Sequence, residues 1–134
     1  MLQLSKKTEY GLIALGHMAR QAPGKVFTAK EIAAVHHISY DLLAKVLQKL
    51  VRADVIKSVQ GMRGGYYLAR SPGEVTIGSI IRSIENEKPM IAECYHEGKG
   101  NCSIFENCSL RQPLGKVQKN LNDVFENTTI AEMV

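Results

Sequence analysis

The sequence predicts a mainly α-helical protein with a small β-hairpin wing, that is, a winged helix-turn-helix followed by a long C-terminal helix. Three observations support this prediction. A short helix, a tight turn and a longer amphipathic helix follow one another within residues 29–52, which is the helix-turn-helix order. A glycine-rich turn between two short strand-like runs comes next. A heptad-like apolar repeat follows in the C-terminal part of the chain.

Composition limits the classes of protein that this chain can belong to. Its 134 residues and 14.8 kDa suit one domain or one domain with an appendage. Hydrophobic residues are 45% and charged residues 22%, as in globular proteins. The longest apolar runs have four residues, far fewer than the roughly 20 of a membrane span. No signal-peptide pattern is present, so we expect a cytoplasmic protein.

Capping residues mark the first two predicted helices. The segment from Ser5 to Arg20 has helical apolar periodicity, with Ser5 as its N-cap. After a Pro-Gly turn, Thr28 and Glu31 form a capping-box pattern, which predicts a short helix over residues 29–35.

The predicted helix Tyr40–Arg52, capped by Ser39, has two chemically different faces. Its apolar face comprises Leu42, Leu43, Val46, Leu47 and Leu50, and its charged face comprises Asp41, Lys45, Lys49 and Arg52. Charged helix faces are usually only solvated. Placed after a short helix and a turn, however, this face is where a recognition helix meets DNA.

Two short strands are predicted over residues 55–59 and 66–69, around a glycine-rich tip at Gln60–Gly65. The tip carries one cation, Arg63. Its glycines permit positive φ and close approach to a phosphate backbone. A nucleotide-binding loop is excluded, because the glycine spacing differs and a strand follows where such loops have a helix.

Residues 71–73, Ser-Pro-Gly, separate two regions of opposite charge. We expect a DNA-binding domain at 1–72, which has eleven Lys and Arg against four acids, and a second region at 73–134, which has six against nine. The resulting net charges of +7 and −3 indicate that the first region meets a polyanion.

The second region is predicted to hold a helix, a loop and a long helix. Thr76 caps an isoleucine-rich helix, residues 90–108 form a loop, and an apolar row follows at heptad-like spacing. The row comprises Leu110, Leu114, Val117, Leu121, Val124 and Phe125. Little chain remains to cover it, so we predict a dimerisation helix with Leu114, Leu121 and Phe125 facing outward.

All the cysteines, Cys94, Cys102 and Cys108, lie within fifteen positions. An odd number of cysteines does not suit a disulfide framework. Zinc sites usually pair ligands two to four residues apart, whereas gaps of seven and five residues suit an iron–sulfur cluster. Lys99 and Arg111 add positive charge that favours thiolates. Zinc with His96 as a fourth ligand, and inert thiols, stay as alternatives.

Several motifs occur together along the chain. They are LSKKTEY at 4–10, EIA at 31–33, GGYYLA at 64–69, the isoleucine-rich helix, the three cysteines and TIAE at 129–132. In this combination the sequence resembles the Rrf-two (Rrf2) family of bacterial winged-helix transcription regulators, over essentially the whole chain. The seven-and-five cysteine spacing is most similar to the branches that sense nitric oxide (NsrR) and iron (RirA).

The resemblance implies a homodimer that binds a palindromic DNA operator and holds an iron–sulfur cluster, with 4Fe-4S favoured and 2Fe-2S possible. The operator would be released or bound as the cluster responds to nitric oxide, iron or redox state. Together with the cation row, the resemblance implies DNA contacts at Thr28, Ser39, Tyr40, Lys45, Lys49, Arg63, Gly64, Gly65 and Tyr66.

The implied metal ligands are the three cysteines and a fourth group. Family resemblance points to Glu9 of the other subunit, with His96 or solvent as alternatives. The histidine that serves this role in one branch is replaced by Arg111. Gln60 stands where family members usually have an arginine before the first wing glycine. Ala44 stands where that branch has glutamate, so the sequence preference of the branch does not carry over.

The resulting functional hypothesis is a DNA-binding regulator, most simply a repressor, switched by a cluster. A cluster-independent regulator or a thiol-based redox sensor is the alternative. No nucleophile with an adjacent base, no paired carboxylates and no cofactor loop is recognisable, so we do not expect an enzyme.

Overall fold

The computed structural model describes residues 2–92, 94 and 102–134. The described chain forms five α-helices and one two-stranded sheet in the predicted order, with strand bounds that differ from the predicted ones by one residue, together with three 3-10 turns that were not predicted. They are α1 (Lys6–Ala19), α2 (Ala29–His36), α3 (Tyr40–Arg52), β1 (Ile56–Val59), β2 (Gly65–Leu68), a 3-10 turn (Pro72–Glu74), α4 (Ile77–Glu85), a 3-10 turn (Phe105–Asn107), α5 (Arg111–Asn127) and a 3-10 turn (Ile130–Met133). The predicted fold class is confirmed.

Hydroxyl side chains begin the first four helices. Ser5, Thr28, Ser39 and Thr76 each accept a hydrogen bond from the backbone N–H three residues later. Glu31 completes the capping box at Thr28. Caps of this kind contribute about 1 kcal/mol each and fix where a helix starts. The predicted starts are therefore confirmed to the residue.

One aliphatic core lies between α1, α2, α3 and α4. On α3 the side chains at positions 43, 46, 47 and 50 of the predicted apolar face are buried, whereas Leu42, at the edge of that face, is half-buried. The isoleucines of α4 and Ile130 from the C-terminal turn belong to the same buried cluster. The core is thus continuous across residues 72 and 73, where the charge of the chain changes sign.

The wing is an antiparallel hairpin with a third, single-residue partner. Strand β1 pairs with β2 in the register Ile56↔Leu68. Phe27 also pairs with Tyr66, through N–H···O bonds of 2.8 and 2.7 Å in the two directions. This pairing joins the start of α2 to the wing, and no sequence pattern in either segment predicts it.

Helix α5 presents two apolar rows, and the prediction of which one faces outward was wrong. Leu110, Val117 and Val124, spaced by seven, are 52–59% exposed. The row at 114, 121 and 125 is half-buried, and Phe125 packs against the core. The reason is geometric: a heptad-like seam is wide enough for one side to contact the body of the protein while the other stays open.

The cysteine segment is more ordered than the predicted loop, where the structure describes it. The turn Phe105–Asn107 is a 3-10 helix, and the backbone at Cys94 is helical. Among the described residues, no helix is both long and apolar enough to cross a membrane.

Candidate functional site

The N-terminal half of α3 presents polar and aromatic groups to solvent. Tyr40 is 52% exposed and Lys45 is exposed on the same helix. Ser39 is exposed, but its hydroxyl accepts the N–H of Leu42 at 3.3 Å as the N-cap. These three residues lie where the sequence analysis expected DNA contacts, on a helix whose opposite face is anchored in the core.

Lys49 differs from Lys45, although the two lie one helical turn apart. Its ammonium group donates a 2.8 Å hydrogen bond to the backbone carbonyl of Ile84, in the last turn of α4. That carbonyl is at the negative end of the helix, which favours a cation. The Lys49 charge is therefore engaged within the fold, whereas that of Lys45 points to solvent from an exposed position.

The wing tip is exposed and its backbone admits only glycine at key positions. Arg63 lies at the exposed tip. Gly65 has φ of 152°, and a Cβ there would collide with the carbonyl oxygen of Phe27. A Cβ on Gly64 would collide with the carbonyl oxygen of Val59. The glycines thus shape the wing, and the Phe27–Tyr66 pairing places the following residue, Thr28, beside it.

Two histidines link α1 to the end of α2. The Nδ1 of His17 and the Nε2 of His36 are 3.0 Å apart. The His17 ring also packs edge-on against Phe27, with ring centroids 4.9 Å apart. Burial is the main cause that lowers the pKa of His17, and the neighbouring His36 charge lowers it further. The pair therefore contacts both the helix-turn-helix and, through Phe27, the wing.

The three cysteines are free thiols and half-buried. None forms a disulfide. Within the described part of the chain, no three His, Cys, Asp or Glu side chains are gathered into a group that could hold a metal ion. His96 and Lys99, which the sequence analysis named, lie outside the described residues. Three thiolates are suitable ligands for a metal group. In this structure, however, the three thiols are not close enough together to bind one.

Arg111, the first residue of α5, holds the turn between Cys102 and Cys108. Its guanidinium lies 4.3 Å from the centroid of the Phe105 ring and donates to the Phe105 carbonyl at 3.3 Å. A planar guanidinium suits this combination of stacking and hydrogen bonding.

Gln118 on α5 is a functional candidate that the sequence analysis missed. Its side chain is only 6% exposed. The amide oxygen accepts the N–H of Ile91 at 2.8 Å, and the amide nitrogen donates to Pro89 O at 2.7 Å and to Asn122 Oδ1 at 2.9 Å. The sequence places Gln118 between Leu114 and Leu121, but the prediction that this row faces outward gave no reason to expect a buried amide there.

Glu9, the predicted fourth ligand, lies in the first turn of α1. Its carboxylate pairs with Lys6 at 2.9 Å, and this hydrogen bond is the main cause that raises the pKa of Lys6. The pair is largely exposed, so it adds little stability and leaves the carboxylate accessible.

Helix α4 connects α5 to α1 and α3 through polar contacts. Arg82 forms a two-pronged ion pair with Glu126 of α5. The next turn of α4 accepts Lys49 of α3, as described above, and the Glu85 carboxylate accepts the Thr8 hydroxyl of α1 at 2.9 Å. Polar contacts therefore run from α5 through α4 to α3 and α1.

The comparison with known families decides the class of this protein. The Rrf2 family profile, described as an iron-dependent transcriptional regulator, matches residues 4–134. The chain belongs to the Rrf2 family.

Individual relatives agree with this assignment. The HTH-type transcriptional regulator NsrR of Oceanobacillus iheyensis is 30% identical over 133 residues, which cover 99% of this chain and 90% of that protein. CymR, the global cysteine regulator of B. subtilis, has a TM-score of 0.79 at 26% identity, covering 99% of this chain and 96% of that one. For T. potens IscR the TM-score is 0.75 at 28% identity, covering 98% and 85%.

Membership of the Rrf2 family indicates the class of function of this protein. The named relatives are transcription regulators and not enzymes. This Rrf2 protein is accordingly a DNA-binding transcription regulator.

Proposed function

We propose that this Rrf2 protein is a repressor that binds a palindromic operator as a homodimer, and that an iron–sulfur cluster on Cys94, Cys102 and Cys108 switches the binding. The observation that carries this proposal is the set of three free, half-buried thiols in a segment that is hydrogen-bonded to α5. The description of the family as iron-dependent supports the same direction.

The DNA-binding part of the proposal rests on charge and exposure. Residues 1–72 carry a net charge of +7. Lys45 and Arg63 are exposed on α3 and on the wing tip. We assign Thr28, Ser39, Tyr40, Lys45, Gly64, Gly65 and Tyr66, with Arg63, to operator binding. Lys49 is assigned a contribution by its charge only, because its ammonium group already has a partner in α4.

The dimer part rests on the open row of α5. Leu110, Val117 and Val124 form a line along one face of the helix and are each more than half exposed. A second copy of α5 would bury this row, and burial of apolar area is favourable by about 25 cal/mol per Å². A two-fold dimer places two recognition helices side by side, which is what a palindromic operator requires.

The sensing part rests on the chemistry of the thiols. A cluster bound there would supply an iron–sulfur centre that reacts with nitric oxide or oxygen. The chain's own contribution is to hold the thiolates on α5 and to pass a change in this segment, through the Arg82–Glu126 ion pair, to α4. Glu9 of the partner subunit is proposed as the fourth ligand, with His96 or solvent as the alternatives.

A second candidate function, a thiol-based redox sensor, has an observation of its own. The described residues contain no gathered group of three metal ligands, and the thiols are free. The oxidized form of Staphylococcus aureus CymR is a solved structure with 27% identity and a TM-score of 0.76, covering 98% of this chain and 95% of that one. In this alternative, reversible oxidation of a cysteine would replace the cluster.

Anaerobic purification followed by iron and sulfide analysis separates the two candidates. The proposal expects bound iron and sulfide that are lost in Cys102→Ser and kept in Ser103→Ala, the matched control next to it. Operator affinity, measured on a duplex that the protein itself enriches from a random library, should change on exposure to nitric oxide. Iron-free protein whose affinity responds to peroxide and recovers with a thiol reductant would establish the thiol sensor instead.

Glu9→Ala tests the fourth ligand, with Lys6→Ala as its control. Both variants remove the same exposed ion pair, but only the first removes the carboxylate. We expect the cluster of Glu9→Ala to assemble and then to decay faster in air, while Lys6→Ala decays like wild type. Equal decay in all three proteins would remove Glu9 from the site.

A further inference from the structure

Gln118, a buried side chain of α5, attaches this helix to the segment that leads to Cys94. Gln118 is 6% exposed, and its amide makes three hydrogen bonds at 2.7–2.9 Å. Two of these reach the backbone at Pro89 and Ile91, three to five residues before Cys94. The third reaches Asn122, one turn further along α5.

The geometry of this amide is specific. Its oxygen faces a backbone N–H, while its nitrogen faces two oxygens, so both N–H groups and the carbonyl have partners. An apolar side chain of equal size would leave Ile91 N–H and Pro89 C=O without these partners. A buried polar group left unpaired costs more than the hydrogen bond itself gains, so only an amide of this length satisfies the site.

We propose that Gln118 is a positioning residue that fixes the Cys94 segment on α5, so that a change at Cys94 is transmitted to this helix. The role of Gln118 in transmission rests on the proposed function, whereas its hydrogen bonds to the Cys94 segment do not. Arg111, seven positions before Gln118 on α5, contacts Phe105 in the turn between Cys102 and Cys108, so this second contact is separate from that of Gln118.

The first experiment measures thiol protection in metal-free protein. Iodoacetamide alkylation of Cys94 and Cys108 is followed by mass spectrometry of the two peptides. In Gln118→Leu, the ratio of the Cys94 rate to the Cys108 rate should rise about fivefold or more, because loss of the hydrogen bonds increases local opening before Cys94. A general loss of stability would raise both rates and leave the ratio unchanged.

Two further variants make the result decisive. Gln112→Leu makes the same chemical change at an exposed position of α5 and should leave the ratio at its wild-type value. Gln118→Glu keeps an oxygen for Ile91 N–H but loses both donated bonds, and it should give an intermediate ratio. If Gln118→Leu does not fold, Gln118→Glu decides. A wild-type ratio in the folded Gln118 variant would overturn the inference.

The second experiment measures transmission and distinguishes this inference from the proposed function. Operator affinity is compared before and after alkylation of Cys94 in wild type and in Gln118→Glu. We expect the change in affinity to be at least several-fold smaller in the variant. If wild-type affinity responds neither to alkylation nor to iron removal, the proposed function fails. If wild type responds and the variant responds equally, the role of Gln118 in transmission fails.

Discussion

The histidine pair between α1 and α2 makes the stability of this protein depend on pH in a definite direction. The Nδ1 of His17 lies 3.0 Å from the Nε2 of His36. One ring must therefore donate and the other accept, which requires at least one neutral imidazole. Burial first, and then the charges of His36, Arg20 and Lys25, lower the pKa of His17, against a weaker opposing effect of Glu31.

The sign and size of the effect follow from proton linkage. Below the ordinary histidine pKa of about 6.5, the unfolded chain takes up a proton at His17 that the folded protein does not. The contribution of a neutral His17 is therefore complete above about pH 6.5 and is lost as the pH falls towards the lowered pKa. The limiting slope for one proton is about 1.4 kcal/mol per pH unit, and partial exposure of the ring keeps the measured slope below this limit.

Urea unfolding at fixed protomer concentration, from pH 5.5 to pH 8, tests this reasoning. The difference in unfolding free energy between wild type and His17→Gln should be constant above pH 7 and should decrease below pH 6.5. His37→Asn is the control, because that residue is exposed and its φ of 55° suits asparagine. A difference that stays constant to pH 5.5, or grows there, would refute a neutral His17 in the folded protein.

Three other properties have direct tests. Lys45→Ala should weaken DNA binding at every sequence and lower the slope of log affinity against log salt concentration by about 1 in anisotropy titrations. Lys119→Ala, at an exposed position of α5, should change neither quantity. Equal slopes for wild type and Lys45→Ala would place Lys45 away from the phosphates. Val117→Glu should shift the proposed dimer to monomer in sedimentation, because it puts a charge into the row that the dimer would bury, and Lys116→Glu should not. An intact Val117→Glu dimer would locate the interface elsewhere. Leu47→Ala should lower the unfolding free energy by about 3 kcal/mol in urea, since the side chain is fully buried, and a loss under 1 kcal/mol would mean that the core closes around the cavity.

The elements of the DNA-binding half could be predicted closely because local chemistry decides them. Thr28 and Ser39 mark helix starts through bonds to N–H groups three residues away, so nearby residues suffice. The wing tip is likewise specified by its glycines. By contrast, the pairing of Phe27 with Tyr66 joins residues thirty-nine positions apart, and no periodicity in either segment indicates it.

The sequence predicted which residues belong to the candidate site, but it did not predict which other residues they contact. The sequence placed Lys45 and Lys49 on one charged face, yet Ile84 of α4 takes up the ammonium of Lys49. Helical periodicity assigns side chains to a face. It cannot tell which carbonyl from another helix lies opposite a given side chain, because that depends on how the helices pack.

The sequence by itself determined the starts of the first four helices, the wing, the charge division and the concentration of thiols in one segment, since each depends on neighbours within a few positions. The tertiary structure alone decided which row of α5 stays open and that Gln118 holds the chain before Cys94. These outcomes depend on the packing of α5 against α4 and the core. Either of the two apolar rows of α5 could pack against the rest of the protein, and only long-range contacts decide which row does so.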